Sequence, residues 1–270
     1  MATVAVIRFP GSNCEFETAR VLEASGLTSS IYNWNEIQRL SDNRADAYVL
    51  PGGFSFQDRV RAGVIASRED IMDLIFEEAL AGKPILGICN GAQILVEAGL
   101  VPGWEPGSIQ AALSDNYTPG RSGYLSKWIY LKATANAIKK CPWLSAMNGE
   151  VIPVPIAHAE GRFVFRDEDM EKVEAHIGLT YCDENGVAAE GWPVNPNGSA
   201  LNMAAIMNSE GNVLAMMPHP ERAFHLWQVP PVIDGKWGEI RRNASLKDLE
   251  EIAGPGAILF QSLFQYLEEK

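Results

Sequence analysis

The chain has 270 residues, with 22 lysines and arginines against 34 aspartates and glutamates, which gives a net charge of −12. Apolar residues make up 47% of the chain, and glycine plus proline stay below the roughly 25–30% typical of low-complexity segments. This composition predicts a folded protein with a full hydrophobic core. It argues against a basic nucleic-acid-binding patch, because lysines and arginines never occur more than two in a row.

No apolar run approaches the roughly 18 residues that a membrane span requires. The start of the chain, Met1 to Arg8, lacks the basic segment of a secretory signal peptide. The four cysteines, Cys14, Cys89, Cys141 and Cys182, are too far apart for metal-ligand or redox spacing. We therefore expect a soluble, cytoplasmic protein with reduced thiols and no metal site.

In chain order, the first hundred residues alternate between strand and helix patterns. Strands are predicted at 3–9, 45–50 and 85–88, and helices at 15–25, from 67 to about 80 and at about 91–98. Ser67 is the expected N-cap of the middle helix, and Gly26 the residue that ends the first. Continuous apolar strands between helices indicate a parallel sheet that is covered on both faces.

After Gly99 strand patterns dominate. Strands are predicted at 127–133, 151–157, 162–165, 177–182, 203–208 and 213–217, the last two as a hairpin, followed by a terminal helix at 256–267. No linker, internal repeat or low-complexity segment separates the halves. The pattern predicts one α/β domain over residues 1–270, with a parallel sheet that gains antiparallel strands in its second half.

Gly87-Ile88-Cys89-Asn90-Gly91 is the sharpest local motif. It lies between a predicted strand and a predicted helix, with glycines two residues on either side of a nucleophilic side chain. This is the nucleophile-elbow pattern with cysteine in place of serine, in which the tight turn leaves room only for small neighbours. The helix N-terminus would favour the thiolate. A buried cysteine that only packs at a tight turn is the alternative, and this motif alone leaves both open.

A cysteine nucleophile needs a base, and His219 in Pro218-His219-Pro220-Glu221 is the best placed of four histidines. A residue before proline is pushed towards an extended conformation, so His219 and Glu221 are predicted to face the same side. The carboxylate would then orient the imidazole. The alternative is a surface turn with a solvated glutamate.

Two further motifs follow predicted strands. In Pro51-Gly52-Gly53-Phe54-Ser55 the glycines could turn a backbone amide towards an oxyanion, beside that of Asn90. Cys14, near a helix start, is the rival nucleophile. No flanking glycine pattern supports it, so a structural role is predicted.

These motifs together resemble the class I (triad) glutamine amidotransferases, and among them the glutaminase components of phosphoribosylformylglycinamidine synthases. The resemblance rests on the elbow and on Phe9-Pro10-Gly11-Ser12-Asn13-Cys14-Glu15, Pro51-Gly52-Gly53-Phe54-Ser55, Arg61-Ala62-Gly63, Pro155-Ile156-Ala157-His158-Ala159-Glu160-Gly161-Arg162, Asn195-Pro196-Asn197-Gly198-Ser199 and Met216-Met217-Pro218-His219-Pro220-Glu221-Arg222. It implies a flavodoxin-like α/β fold with a central, mostly parallel sheet.

The resemblance also implies roles for residues. Cys89 would attack the side-chain amide of glutamine, the amides of Gly53 and Asn90 would hold the oxyanion, and His219, oriented by Glu221, would transfer protons. Substrate contacts are implied for Gln93, Phe54, Ser55 and His158. No metal or cofactor is implied in this chain.

The same resemblance implies partners. Ammonia would pass to a large synthetase subunit that uses ATP and Mg²⁺, and a small subunit would bridge the two. Residues from about 224 to 254 look like an insertion relative to compact family members. The alternatives are a glutaminase subunit of another amidotransferase, a cysteine hydrolase of related fold, and a regulatory subunit without chemistry. The intact Cys89, His219 and Glu221 argue against the last.

Overall fold

A computed structural model describes the whole chain, residues 1–270. Its strands are β1 (Thr3–Arg8), β2 (Thr28–Asn33), β3 (Ala47–Leu50), β4 (Ile85–Ile88), β5 (Ala112–Asp115), β6 (Tyr117–Thr118), β7 (Arg121–Ser122), β8 (Leu125–Ala133), β9 (Val151–His158), β10 (Glu160–Val164), β11 (Ile177–Cys182), β12 (Met203–Met207) and β13 (Val213–Met216). Its α-helices are α1 (Glu15–Ala24), α2 (Ile37–Asp42), α3 (Ile71–Leu80), α4 (Asn90–Glu97), α5 (Ala135–Lys140), α6 (Met170–Val173), α7 (Gly235–Asn243), α8 (Leu246–Glu251) and α9 (Ala257–Glu268).

Nine strands form one sheet in the order β2-β1-β3-β4-β13-β12-β11-β8-β9. The first five are parallel to their neighbours, and the last four continue the sheet with antiparallel pairings. The strands β3, β4, β12 and β13 are buried at every position. Sheet and helices share a single cluster of 65 buried apolar residues. The predicted α/β class and the change to antiparallel strands are confirmed.

The strand β9, at one of the two edges of the sheet, carries two prolines. Pro153 and Pro155 have no N–H to offer at this edge, which limits pairing with another chain. The carbonyl of Pro155 instead accepts a hydrogen bond from the amide of His219, with an N–O distance of 2.9 Å. The edge strand therefore fixes the backbone of one of the candidate site residues.

Some predicted element boundaries are wrong. Ser67 is not the N-cap of α3, because it lies in a 3₁₀ turn at Ala66–Arg68, after which Glu69 is extended and the helix begins only at Ile71. The prediction also missed β2 and α2, whose polar sequences lack a strong apolar period. No helix of the protein is both long and apolar enough to span a membrane.

The closest approach between the elbow and the sheet lies at Gly91. A methyl group added there would lie 1.9 Å from the carbonyl oxygen of Leu50, a backbone atom that cannot rotate away. We expect Gly91→Ala to destabilise the protein by about 3 kcal/mol, because overpacking of a rigid contact costs this much. Urea unfolding measures the change.

Gly82→Ala is the matched control for this substitution. Gly82 has a positive φ of +80°, whereas Gly91 lies in helix α4, but a methyl group added to Gly82 meets nothing within 4 Å. It should cost only about 1 kcal/mol, for the backbone conformation alone. Equal losses of unfolding free energy in Gly91→Ala and Gly82→Ala would show that the contact between position 91 and Leu50 does not restrict the side chain at position 91.

Candidate active site

Cys89 lies at the turn that joins β4 to α4 and has a φ of +51°, which is rare for a residue with a side chain. Both flanking glycines are required by space: a methyl group on Gly87 would lie 2.6 Å from the carbonyl oxygen of Gly91, and Gly91 abuts Leu50. The amide of Cys89 donates to the carbonyl of Met216 at the end of β13, at 2.8 Å. The strained turn presents the thiol at the carboxyl ends of the central strands, as an elbow does.

His219 follows β13, the neighbour of β4, so the sheet brings residues 89 and 219 together. Its Nδ1 lies 2.5 Å from Oε1 of Glu221, and both side chains are buried. His219 itself is not helical, with φ −106° and ψ 85°, but the extended conformation predicted to run on to Glu221 is wrong, because Pro220–Ala223 forms a 3₁₀ turn. The predicted pairing of His219 with Glu221 is present nonetheless, since the turn places the carboxylate next to the imidazole ring. Nε2 of His219 has no hydrogen-bond partner within the protein and is free to exchange a proton.

The environment of His219 favours its charged form. Burial lowers the pKa of the imidazole, but the carboxylate of Glu221 and the adjacent thiols of Cys89 and Cys14 together raise this pKa well above its usual value. A positive imidazole beside Cys89 is the partner that a thiolate nucleophile requires.

Cys14 also touches this site, which the sequence did not indicate. Its sulfur accepts a hydrogen bond from Nη2 of Arg222 at 3.0 Å and lies beside the His219 ring. Burial, together with the charge of Glu221, raises the pKa of Cys14 to about 11, so the thiol stays protonated. Cys14, His219 and Glu221 are close enough to ligate a metal, but the Arg222 guanidinium already donates to the sulfur. Cys14 therefore supports the site and is a poor nucleophile.

Gly53 and Asn90 carry the two backbone amides that the resemblance implies for the oxyanion. Gly53 has a φ of +151°, and a methyl group there would lie 2.6 Å from Cα of Ser12, so the position requires glycine. Asn90 is the first residue of α4 and follows Cys89 directly. Neither amide has a backbone acceptor. Both are therefore available to a developing negative charge, in the way that oxyanion holes work.

A cavity of about 50 Å³ opens beside the thiol. Its lining consists of Gly53, Phe54, Asp58, Ala62, Cys89, Gln93, Tyr124, Ala157, His158, Ala159 and Glu160. Of the residues predicted to contact substrate, Phe54, Gln93 and His158 reach this cavity and Ser55 does not. Ser55 is buried behind it, where its amide donates to Oδ1 of Asn90 at 3.0 Å. A cavity of about 570 Å³ exists elsewhere, but it is lined by no cysteine or histidine.

Asn116 is a site residue that sequence reasoning missed, because it lies 42 residues before its partner His158. Its Nδ2 donates to the carbonyls of His158 and Gly123 at 2.7 and 3.0 Å. Its Oδ1 must therefore accept a hydrogen from Nδ1 of His158, 3.1 Å away. Burial, and then the charge of His219, lower the pKa of His158 to about 3. His158 is thus neutral, with an unpaired Nε2 that can only accept.

With this geometry established, comparison with known proteins decides the family. A family model described as a CobB/CobQ-like glutamine amidotransferase domain matches residues 1–267. The chain belongs to the glutamine amidotransferases. The triad geometry agrees with this membership.

Individual relatives are similar to this chain over most of its length. The chain is 43% identical to phosphoribosylformylglycinamidine synthase subunit PurQ of Methanothrix thermoacetophila, over 99% of this chain and 98% of the relative. It is 45% identical to the subunit of the same name from Pyrococcus furiosus, over 83% of this chain and 91% of the relative. A chain of the solved structure of PurLQS from Thermotoga maritima superposes with a TM-score of 0.71 at 32% identity, over 99% of this chain and 100% of that chain.

The two buried histidines should titrate in opposite ways. We expect the pKa of His219, measured as its NMR titration midpoint, to lie well above the ordinary histidine value of 6.5. Glu221→Gln should lower this midpoint by about one unit or more, because it removes the carboxylate that stabilises the imidazolium. His158 is the internal control and should not titrate between about pH 5 and 8. An unchanged His219 midpoint in the variant would contradict the role given to Glu221.

Proposed function

We propose that this chain is the glutaminase subunit of a phosphoribosylformylglycinamidine synthase. It hydrolyses glutamine to glutamate and ammonia and delivers the ammonia to a synthetase that converts formylglycinamide ribonucleotide to formylglycinamidine ribonucleotide in purine biosynthesis. The observation that carries this proposal is the buried Cys89, His219 and Glu221 arrangement in a chain 43% identical, over nearly its whole length, to a subunit of that name.

The chemistry follows from the geometry. The Cys89 thiolate attacks the side-chain carbonyl carbon of glutamine, and the amides of Gly53 and Asn90 hold the resulting oxyanion. His219 protonates the departing nitrogen, which leaves as ammonia, and a γ-glutamyl thioester remains on Cys89. His219 then takes a proton from water, whose oxygen displaces the sulfur and releases glutamate. Glu221 keeps the imidazole aligned through both steps.

Ammonia in neutral water is mostly ammonium, which is not a nucleophile. It must therefore pass directly to a partner, and we propose a large synthetase subunit and a small bridging subunit, in line with the assembly named in the Thermotoga maritima structure. ATP and Mg²⁺ would be used by the synthetase, since this chain has no phosphate-binding loop. A cytoplasmic location, where this pathway would run, is part of the proposal.

Residues 1–270 are proposed to act as one amidotransferase domain with an insertion at about 224–254. The relative from Pyrococcus furiosus matches only 83% of this chain but 91% of itself, so this chain is longer. The proposed insertion holds α7 and α8 and is tied to the antiparallel end of the sheet. There Tyr130 donates to the carbonyl of Asp234 at 2.9 Å, and Lys236 pairs with Glu150.

Reconstitution with the synthetase tests the function. We expect Cys89→Ala to lower glutamine-dependent product formation by about 10³-fold or more, because it removes the nucleophile. Synthesis supported by added ammonium should be unchanged, because the synthetase does not need Cys89 for it.

Cys141→Ala is the matched control, since this buried cysteine follows Lys140, which lies beside Gly211 in the turn before β13, at the opposite end of that strand from His219. It should retain glutamine-dependent synthesis. Glutamine-dependent synthesis that persists in Cys89→Ala, or its absence in the wild-type complex, would overturn the proposal.

A further inference from the structure

Arg222 connects two parts of the molecule beside the candidate triad. Its Nε donates to Oε1 of Glu17 in α1 at 2.9 Å, and its Nη2 donates to the sulfur of Cys14 at 3.0 Å. Its Nε lies 4.0 Å from the Glu221 carboxylate, too far for a hydrogen bond. None of Arg222, Glu17 and Cys14 forms or breaks a bond in the proposed mechanism, so their contact indicates another role.

Cys14 is held both by its backbone and by its side chain, and it is only 1% exposed. Its carbonyl accepts the amide of Thr18 in the first turn of α1, at 2.9 Å, and its own amide donates to the carbonyl of Gly52 at 3.2 Å. The protonated thiol donates to Oδ1 of Asn13 at 3.2 Å. With Arg222 donating to the sulfur, the position of Cys14 is fixed.

The carbonyl of Gly52 links Cys14 to the oxyanion site. It accepts hydrogen bonds from the amides of Asn13 and Cys14, at 3.3 and 3.2 Å. The same peptide unit contains the N–H of Gly53, one of the two amides assigned to the oxyanion. This peptide bond is trans, so its C=O and N–H groups point in opposite directions. The hydrogen bonds that fix the carbonyl therefore also fix the direction of the Gly53 N–H.

The two glycines make the orientation of this peptide depend on its hydrogen bonds. A methyl group on Gly52 would lie 2.8 Å from Cε1 of His219 and 3.0 Å from the sulfur of Cys14, so neither glycine position admits a side chain that would stiffen the segment. Glycine adopts positive and negative φ about equally well, which leaves an unsupported Gly-Gly peptide free to rotate. An oxyanion site works only when its donors are oriented before the reaction.

We propose that Arg222 is a positioning residue for the oxyanion site. Anchored by Glu17, it holds Cys14 in place, and Cys14 in turn keeps the Gly53 N–H directed at the substrate oxygen. This proposal rests on the proposed function and assigns a role to the second cysteine of the site. Arginine suits this role because its planar fork donates to two acceptors at once. Since Arg222 directly follows Glu221, one 3₁₀ turn supports both the triad and the oxyanion site.

Such a role affects the transition state rather than substrate binding. The substrate oxygen becomes negative only after Cys89 attacks, so a misdirected Gly53 amide lowers kcat and leaves KM nearly unchanged. Alkylation of Cys89 by iodoacetamide distinguishes this effect from damage to the thiolate or to His219. In that reaction the sulfur displaces iodide from carbon, and no oxyanion forms.

Kinetics and alkylation of the complex with the synthetase test the role of Arg222. Arg222→Met removes both hydrogen bonds at similar side-chain length. It should lower kcat for glutamine about 10- to 100-fold, because loss of a whole oxyanion donor costs about 10²- to 10³-fold. KM should stay within about twofold of the wild type. The rate at which iodoacetamide modifies Cys89, followed by mass spectrometry, should stay within about threefold.

Glu17→Ala tests the anchor without a change at the thiol or at the catalytic turn. It should lower kcat about threefold or more, and the double variant should be no slower than Arg222→Met, because both act through one contact. Arg44→Met is the matched control. It breaks an arginine pair with the buried carboxylate of Glu78 in α3, at 2.8 Å, and should keep kcat within about twofold.

Parallel losses of kcat and of alkylation in Arg222→Met would show that Arg222 acts on the fold or on His219, and an unchanged kcat would show no role. Either result, or losses that simply add in the double variant, would overturn the proposal. A wild-type complex that does not use glutamine at all would instead refute the proposed function.

Discussion

The parallel pairing of β4 with β13 is the constraint on which the rest of the site depends. It aligns Ile88 with Met216, so the two chain segments that follow these strands leave the sheet side by side. One segment is the turn at Cys89 and the other leads to His219. Adjacent parallel strands thus bring together residues 130 positions apart, at the carboxyl edge where open α/β sheets place their ligands.

A second consequence of the pairing of β4 with β13 is that side chains of the site are buried. His219 and Glu221 are almost wholly shielded from water, and their close contact is strong because little solvent screens it. The same shielding keeps His158 neutral beside a charged His219. In the proposed mechanism His219 therefore carries the proton, while the neutral His158 can only accept a hydrogen bond at Nε2. The cavity beside Cys89, which His158 lines, is far smaller than the roughly 300–1,000 Å³ of typical ligand pockets.

The sequence predicted the parts of the site that depend on local sterics. No other residue fits in place of the glycines around Cys89 and at Gly53, because an added Cβ would meet backbone atoms. The spacing of these glycines is therefore visible in the sequence. Contacts that depend on strand order could not be predicted: Arg222 reaches Cys14 across 208 positions, and Asn116 reaches His158 across 42. The extended conformation predicted to run from His219 to Glu221 was wrong beyond His219, because Pro220 begins a 3₁₀ turn, although the side chains of His219 and Glu221 still pair. The position of Asp58 in the cavity lining was not predicted, because four non-glycine residues between positions 56 and 60 have positive φ, a conformation that no local pattern indicates.

The central claim is that Cys89 is the nucleophile and that Cys14, although it touches the same histidine, is not. The most direct test is to react the protein, in complex with its synthetase, with a glutamine analogue that carries an electrophilic carbon at the amide position, and to map the modified peptide by mass spectrometry. The account predicts a single label on Cys89, which excess glutamine prevents. A label on Cys14, or no label in the active complex, would contradict it.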